Sequence, residues 1–324
     1  RYDTITITML RLNFLILWAA AASLFASALP ISDVSEEEIN TPTPEPKKTF
    51  WKSFNPNTDF RNRNFNTISR IYNLTVYPNQ VPILTFGGAA FVPKGLFAQN
   101  VVGRVDPVGN FTGFEHSIEY FFALSPLPQA NPSSAAITSY KIVEFSSECR
   151  DIAASVVYLY TSVVNPGSPD HGKPLPPLKQ VAFWKFNKEG EVEKYDAWIP
   201  NLNSWVTRTT MASLGNPEFQ LESIRQICYG TQARCYGPNQ QWDSIEDCVV
   251  GLAKKNYGTY DEAWGDNVVC RTIHLVLTQT RPDVHCPHVG PTGGGKCVDV
   301  EYPENYFSDK WLYEEETGET FVCK

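Results

Sequence analysis

The sequence predicts an α+β protein in two parts, a domain of helices and a mostly antiparallel sheet followed by a small, largely helical module held by disulfides. Three observations predict this. Helical apolar spacing marks the segments near 65–78 and 113–124, whereas β-branched and aromatic runs mark 136–199, so the strands meander together instead of alternating with helices. The stretch "FWKFNKEGEVEKYDAW" joins two strand-like runs through a turn at Gly190. Seven of the eight cysteines fall between Cys228 and Cys323, with only Cys149 before them.

From Met9 the chain reads "MLRLNFLILWAAAASLFASALP". A basic start (Arg11), an apolar run from Phe14 to Ala22 and the small-residue pattern Ala26-Ser27-Ala28 make residues 1–28 upstream sequence plus a signal peptide. The run is shorter than the roughly 20 residues needed to cross a bilayer, so a secreted protein with no membrane anchor after cleavage is expected. Even cysteine usage suits an oxidising compartment, and the sequons at Asn73 and Asn110 are candidate glycosylation sites. A net charge of -8 with no basic stripe argues against nucleic acid and against membrane-surface binding. Residues 29–50, with "EEEINTPTPEPKK", read as an extended linker.

The first domain spans 51–206. "FNTISRIYNLTVYP" predicts a helix with Ile68, Ile71 and Tyr72 on one side. "LFAQNVVGRVDPVGNF" predicts a strand ended by a Pro/Gly turn, and "GFEHSIEYFFAL" a helix with a stripe at Ile118, Phe121, Phe122 and Leu124. Strands are expected over 136–145, 152–164, 180–186 and 191–199. The polar stretch 207–216 reads as a boundary before the cysteine-rich module, 216–324. There, Asn216-Pro217 and Ser244 start helices, and a third follows Asp266. "PTGGGKC" (291–297) lacks the strand and helix of a phosphate loop and reads as a flexible loop.

The strand, polar turn, Gly-x-Glu and Ile/Phe-rich helix of 96–124, together with the hairpin "FWKFNKEGEVEKYDAW", resemble the NTF2-like superfamily, specifically its SnoaL-like (polyketide-cyclase-like) branch, over about 60–205. The cysteine-rich module resembles that of uncharacterised secreted fungal proteins. The resemblance implies a curved sheet closed by helices into a cone, with a pocket for a small, largely apolar ligand. It also implies either cofactor-free acid/base chemistry (isomerisation, cyclisation, dehydration) or plain binding. In such a pocket the candidate catalytic residues are Asp196, His116, Tyr120 and Asp106, with Tyr158, Trp198 and Lys194 as lining. Lys194, Asp196 and Trp198 share one strand face, which lines the cone or else faces solvent as an ordinary ion pair.

Two other functions stay open at this stage. One is a non-enzymatic interaction protein with an unknown protein partner, its cone filled by its own aromatics. The other is a metal binder using His274, His285 and His288. Against metal stand the missing C-x2-4-C spacing and Pro287 between His285 and His288, which argues against one regular helix carrying both rings. A disulfide staple through Cys228, Cys235, Cys248, Cys270, Cys286, Cys297 and Cys323 is the simpler expectation. Cys149 then either reaches across, for example to Cys323, or stays free.

Overall fold

The computed structural model describes residues 59–86, 88–128, 133–302, 304 and 307–324. The expected signal peptide and linker lie outside the described residues. Helix α1 (Asp59–Thr75) buries Ile68, Ile71 and Tyr72 as the spacing predicts, but it starts earlier. Its first turns carry no apolar stripe and are pinned by polar bonds instead. Asn64 Nδ2 donates to Ser147 Oγ at 3.0 Å and to the Arg150 carbonyl at 3.1 Å. A short α2 (Val81–Phe86) follows.

The sheet has six strands in the order β2-β1-β6-β5-β4-β3. β1 (Phe97–Asp106) and β2 (Gly109–Thr112) form a hairpin around the Pro/Gly turn. β3 (Ala135–Ser146), β4 (Ile152–Val163), β5 (Pro174–Phe186) and β6 (Val192–Trp198) make the expected antiparallel meander, with Gly190 turning at φ 88°. β6 then pairs with β1 in parallel, a long-range contact with no local signature. β5 begins before residue 180 because its three prolines occupy the start of the strand, where they weaken a strand reading without preventing pairing.

The inward side chains of the sheet and of helices α1 and α3 share one core. Helix α3 (Phe114–Ile118) runs into a π-helical turn, Glu119–Ala123. Phe121 sits 5.3 Å from the Tyr195 ring and 5.8 Å from Trp184, and both partners are fully buried. Gly103 faces Tyr195 across the parallel pair, and a Cβ there would lie 2.2 Å from the tyrosine ring, so only glycine lets that ring lie across β1. The result is the α+β cone that the NTF2-like resemblance implies.

The stretch expected to be a polar boundary partly folds as α4 (Leu202–Thr210). Trp205 and Val206 are buried against the cone, and the Trp205 indole donates to the Pro176 carbonyl at 3.1 Å. The module consists of α5 (Pro217–Arg234), α6 (Ile245–Leu252), α7 (Val268–Leu277), α8 (Pro282–Val289) and α9 (Asp309–Tyr313). Asn216 and Ser244 cap α5 and α6 through their side chains as expected, while α7 is capped by Asn267, one residue beyond Asp266. All eight cysteines pair, as Cys228–Cys248, Cys235–Cys286, Cys270–Cys297 and Cys149–Cys323. The last bond spans the two parts of the chain and ties the C-terminal segment across the outer face of the sheet. Among the described residues no helix is long and apolar enough to cross a membrane.

Candidate functional site

The cone's own cavity is small. It holds about 100 Å³ between Tyr72, Tyr120, Phe121, Leu178 and Trp205. Gln180 spans it, accepting from the Tyr72 hydroxyl at 2.7 Å and donating to Tyr120 Oη at 2.8 Å, which fixes both rings. A drug-sized ligand needs roughly 300 Å³ or more, so the cone is filled by its own aromatics.

Several expected lining residues lie outside it. β-strand alternation turns Tyr195 and Ala197 inward, so Lys194, Asp196 and Trp198 face the opposite, outer side. They do not face solvent there either. Asp196 accepts from Arg104 Nε and Nη2 at 3.1 and 2.5 Å, and Arg104 also reaches Asp309 at 2.9 Å. Lys194 donates to the Tyr313 carbonyl and, with Lys185, to Glu315. These polar residues are the seat of the C-terminal segment. Trp198 packs edge-on against Phe183, 5.9 Å away, on this same face. Tyr158 also points outward, because Val157 and Leu159 beside it in β4 take the inward positions. Asp106 ends β1, where its carbonyl accepts from Ile199 N at 2.9 Å. Asn73 is exposed on α1, whereas Asn110 lines the larger cavity described next.

That larger cavity, about 530 Å³, opens where the π-helical turn and the β1–β2 hairpin meet α7 and α8. Its walls combine Val108, Leu124, Ile273 and Trp264 with His116 and the three module histidines. His116 and Tyr120, expected as a pair one helical turn apart, face different cavities, His116 this one and Tyr120 the cone. The His116 Nδ1 lies 2.9 Å from the Thr112 carbonyl, which only accepts, so the proton sits on Nδ1 and Nε2 keeps its lone pair. Burial and the nearby Arg281 charge lower the His116 pKa, keeping the ring neutral.

Glu119, the first residue of the π turn, anchors the other side. It accepts from Arg281 Nε at 2.7 Å and from the Arg281 Nη2, from Thr280 Oγ1 at 3.0 Å and from His285 Nε2 at 3.1 Å. Burial alone would raise its carboxyl, but the Arg281 and His285 hydrogen bonds hold it down at about 2. Because a carboxylate only accepts, His285 donates to it through Nε2, which turns the ring's Nδ1 toward α7. That nitrogen lies 3.3 Å from the His274 Nδ1, which in turn lies 3.1 Å from the His288 Nδ1. Burial lowers the His274 pKa far below its usual value and the His288 pKa to about 4, so these two rings are neutral.

Both rings of α8 are thus presented by one helix despite Pro287. That proline lacks the N–H that would bond the Asp283 carbonyl, which removes one rung of a short helix otherwise clamped by Cys235–Cys286. "PTGGGKC" is ordered as well. Gly293–Gly295 make a tight turn closed by Cys270–Cys297, and Lys296 Nζ donates to the Asn110 carbonyl at 2.9 Å. Sequence reasoning missed Glu119 and Arg281. The available signal was a lone carboxylate inside the apolar run "SIEYFFAL".

Residues 70–197 match the BfoA N-terminal domain, and residues 195–300 match the BfoA family C-terminal domain. The bifonsecin B biosynthesis cluster protein A of Aspergillus brasiliensis is 31% identical over 232 residues, covering 67% of this chain and 76% of that protein. The aurasperone B biosynthesis cluster protein A of Aspergillus niger is 30% identical over 232 residues, 67% of this chain and 74% of that protein. A crystal structure described as a SnoaL-like polyketide cyclase from Jannaschia sp. CCS1 overlays 47% of this chain and 94% of its own, with 13% identity and a TM-score of 0.32. That overlay adds nothing to the fold, which rests on the strand order and register above. The two domain matches meet end to end across the sheet and the module, and with relatives about 30% identical over two thirds of the chain they establish that the chain belongs to the BfoA family.

Proposed function

We propose that the chain is a secreted protein that binds a small, largely apolar molecule in the junction cavity and moves a proton on it, with His116 as base and no organic cofactor. The observation that carries this reading is the His116 ring itself. Its Nδ1 is fixed on Thr112, its Nε2 keeps a lone pair, and it borders a mostly apolar cavity of about 530 Å³. The Asn110 Oδ1 is buried in the same wall with no hydrogen-bond partner among the described residues, so a bound hydroxyl or N–H would satisfy it. Glu119, already engaged by donors from three residues, is an anchor and not the base. The relatives are named for the biosynthesis of bifonsecin B and aurasperone B, which supports a biosynthetic intermediate as the ligand. Four disulfides support work outside a reducing compartment.

The filled cone favours a second reading, a non-enzymatic interaction protein. Native mass spectrometry of the protein from its own culture, followed by turnover assays on the co-purified ligand, separates the two. Under the first reading His116→Ala keeps the ligand but loses about 100-fold or more in turnover, with stability changed by no more than about 1–2 kcal/mol. Undiminished turnover in His116→Ala removes that residue as base. A chain that carries no ligand and binds none favours the interaction protein.

A further inference from the structure

The three module histidines converge on one another through their ring nitrogens. The His274 Nδ1 lies 3.3 Å from one imidazole Nδ1 and 3.1 Å from another. A ring nitrogen has one in-plane valence, filled either by a proton or by a lone pair. A proton there can reach both neighbours only as a bent, three-centre contact, so hydrogen bonding satisfies the cluster poorly. A cation resolves this. With metal–nitrogen bonds of about 2.0–2.1 Å and tetrahedral angles, ligand nitrogens sit roughly 3.3–3.4 Å apart, close to the spacing found here.

The surroundings have the form of a ligand cage. The Glu119 carboxylate accepts a hydrogen bond from His285 Nε2, which orients that ring and turns its Nδ1 toward the trio; carboxylate–histidine pairs do the same behind metals elsewhere. Cys270 lies one turn before His274 on α7 and is bonded to Cys297, while Cys286 lies between His285 and His288 and is bonded to Cys235. These sulfurs are spent in disulfides and carry no thiolate, so they stiffen the backbone without ligating. Three imidazoles, with no carboxylate in the group among the described residues, suit copper or zinc and not magnesium or calcium. All three rings also line the junction cavity.

We propose that His274, His285 and His288 form a three-imidazole site for one divalent transition-metal ion of the copper–zinc type, with its fourth coordination position open to the junction cavity. Three protein ligands and one open position distinguish a reactive or ligand-binding metal from a closed structural one. The site stands whether or not the cavity takes an organic molecule.

The test uses the full, disulfide-intact chain, stripped by dialysis against a chelator. It is titrated with Zn²⁺ by calorimetry and with Co²⁺ by visible absorption. One equivalent should bind at a dissociation constant of about 1 μM or tighter, with the strong visible bands of four-coordinate Co²⁺. His274→Ala and His288→Ala should each weaken binding about 100-fold, while His171→Ala, at an exposed histidine in the β4–β5 turn, leaves it unchanged. No stoichiometric binding by the unmutated chain at about 10 μM metal overturns the proposal, as does binding that survives His288→Ala or vanishes with His171→Ala. Pulsed electron paramagnetic resonance on the unmutated Cu²⁺-loaded chain keeps the test independent of how the variants fold. Coupling to three imidazoles is expected, and coupling to fewer overturns the proposal.

Discussion

Glu119→Gln tests whether the cone and the module are one folded unit. The native carboxylate is 7% exposed and takes donors from Arg281, Thr280 and His285, all on the module side. Glutamine keeps the volume but sets an amide N–H₂ against the guanidinium, donor facing donor. Removing one partner of a buried ion pair costs about 3–5 kcal/mol, because the other charge is stranded. The Arg281 side chain is 25% exposed and regains part of its hydration, which brings the expected loss to about 2–4 kcal/mol. That is a large share of the roughly 5–15 kcal/mol stability of a typical domain. The measurement is urea unfolding with the disulfides intact, followed by tryptophan fluorescence and by circular dichroism. Arg281→Met completes a double-mutant cycle, in which the pair should cost less than the sum of the singles by about 1–3 kcal/mol. A loss under about 1 kcal/mol, or strict additivity, would show that this contact does not join the two parts.

Three further outcomes follow from other contacts. Cys149→Ser with Cys323→Ser removes a bond between residues 174 apart, for which chain entropy predicts a loss of up to about 5 kcal/mol. The segment after Tyr313 should then become sensitive to protease, and an unchanged cleavage pattern would mean that the ion pairs alone hold it. Gly103→Ala drives a Cβ into the Tyr195 ring and should lower stability by about 1–3 kcal/mol, but should cost little more when made in a Tyr195→Ala background; a neutral Gly103→Ala in the native background would contradict the close approach of that ring to β1. Glu315 gives a pH dependence. Burial pushes its carboxyl up, but hydrogen bonds from Lys185 and Lys194 hold it below the usual value. A depressed carboxyl contributes stability above its unfolded pKa of about 4.3 and loses it as the pH falls through the lower folded value. Glu315→Gln should therefore flatten the acid side of the stability curve, and an unaltered acid limb would count against these bonds.

Elements with a periodic apolar signal were legible in the sequence. The Ile68–Ile71–Tyr72 stripe, the β3–β6 meander and the Asn216 and Ser244 caps are local features set by neighbouring residues. The parallel β1–β6 pair was not legible, since its partners are far apart in the chain and nothing in either strand names the other. The direction in which a strand face points was also hidden. Val192, Lys194, Asp196 and Trp198 alternate correctly, but alternation does not say which side is inside. The C-terminal segment decides that by supplying Asp309 and Glu315 to the charges on the outer side.

The same limit shaped the reading of the histidines. In one dimension, cysteines interleaved with His274, His285 and His288 argue for a staple and against a site, because each residue is given a single purpose. In three dimensions a staple and the proposed site are compatible. Holding two imidazole nitrogens within about 3.3 Å of His274 Nδ1 is unfavourable without a cation, so the backbone behind the rings must resist relaxation. Cys270–Cys297 and Cys235–Cys286 fix α7 and α8 at the turns that carry the rings, and Glu119 reaches from the cone to fix the third constraint, the orientation of His285. A module with too little core of its own needs disulfides to fold, and the same bonds hold its histidines in a geometry that a looser backbone would let collapse.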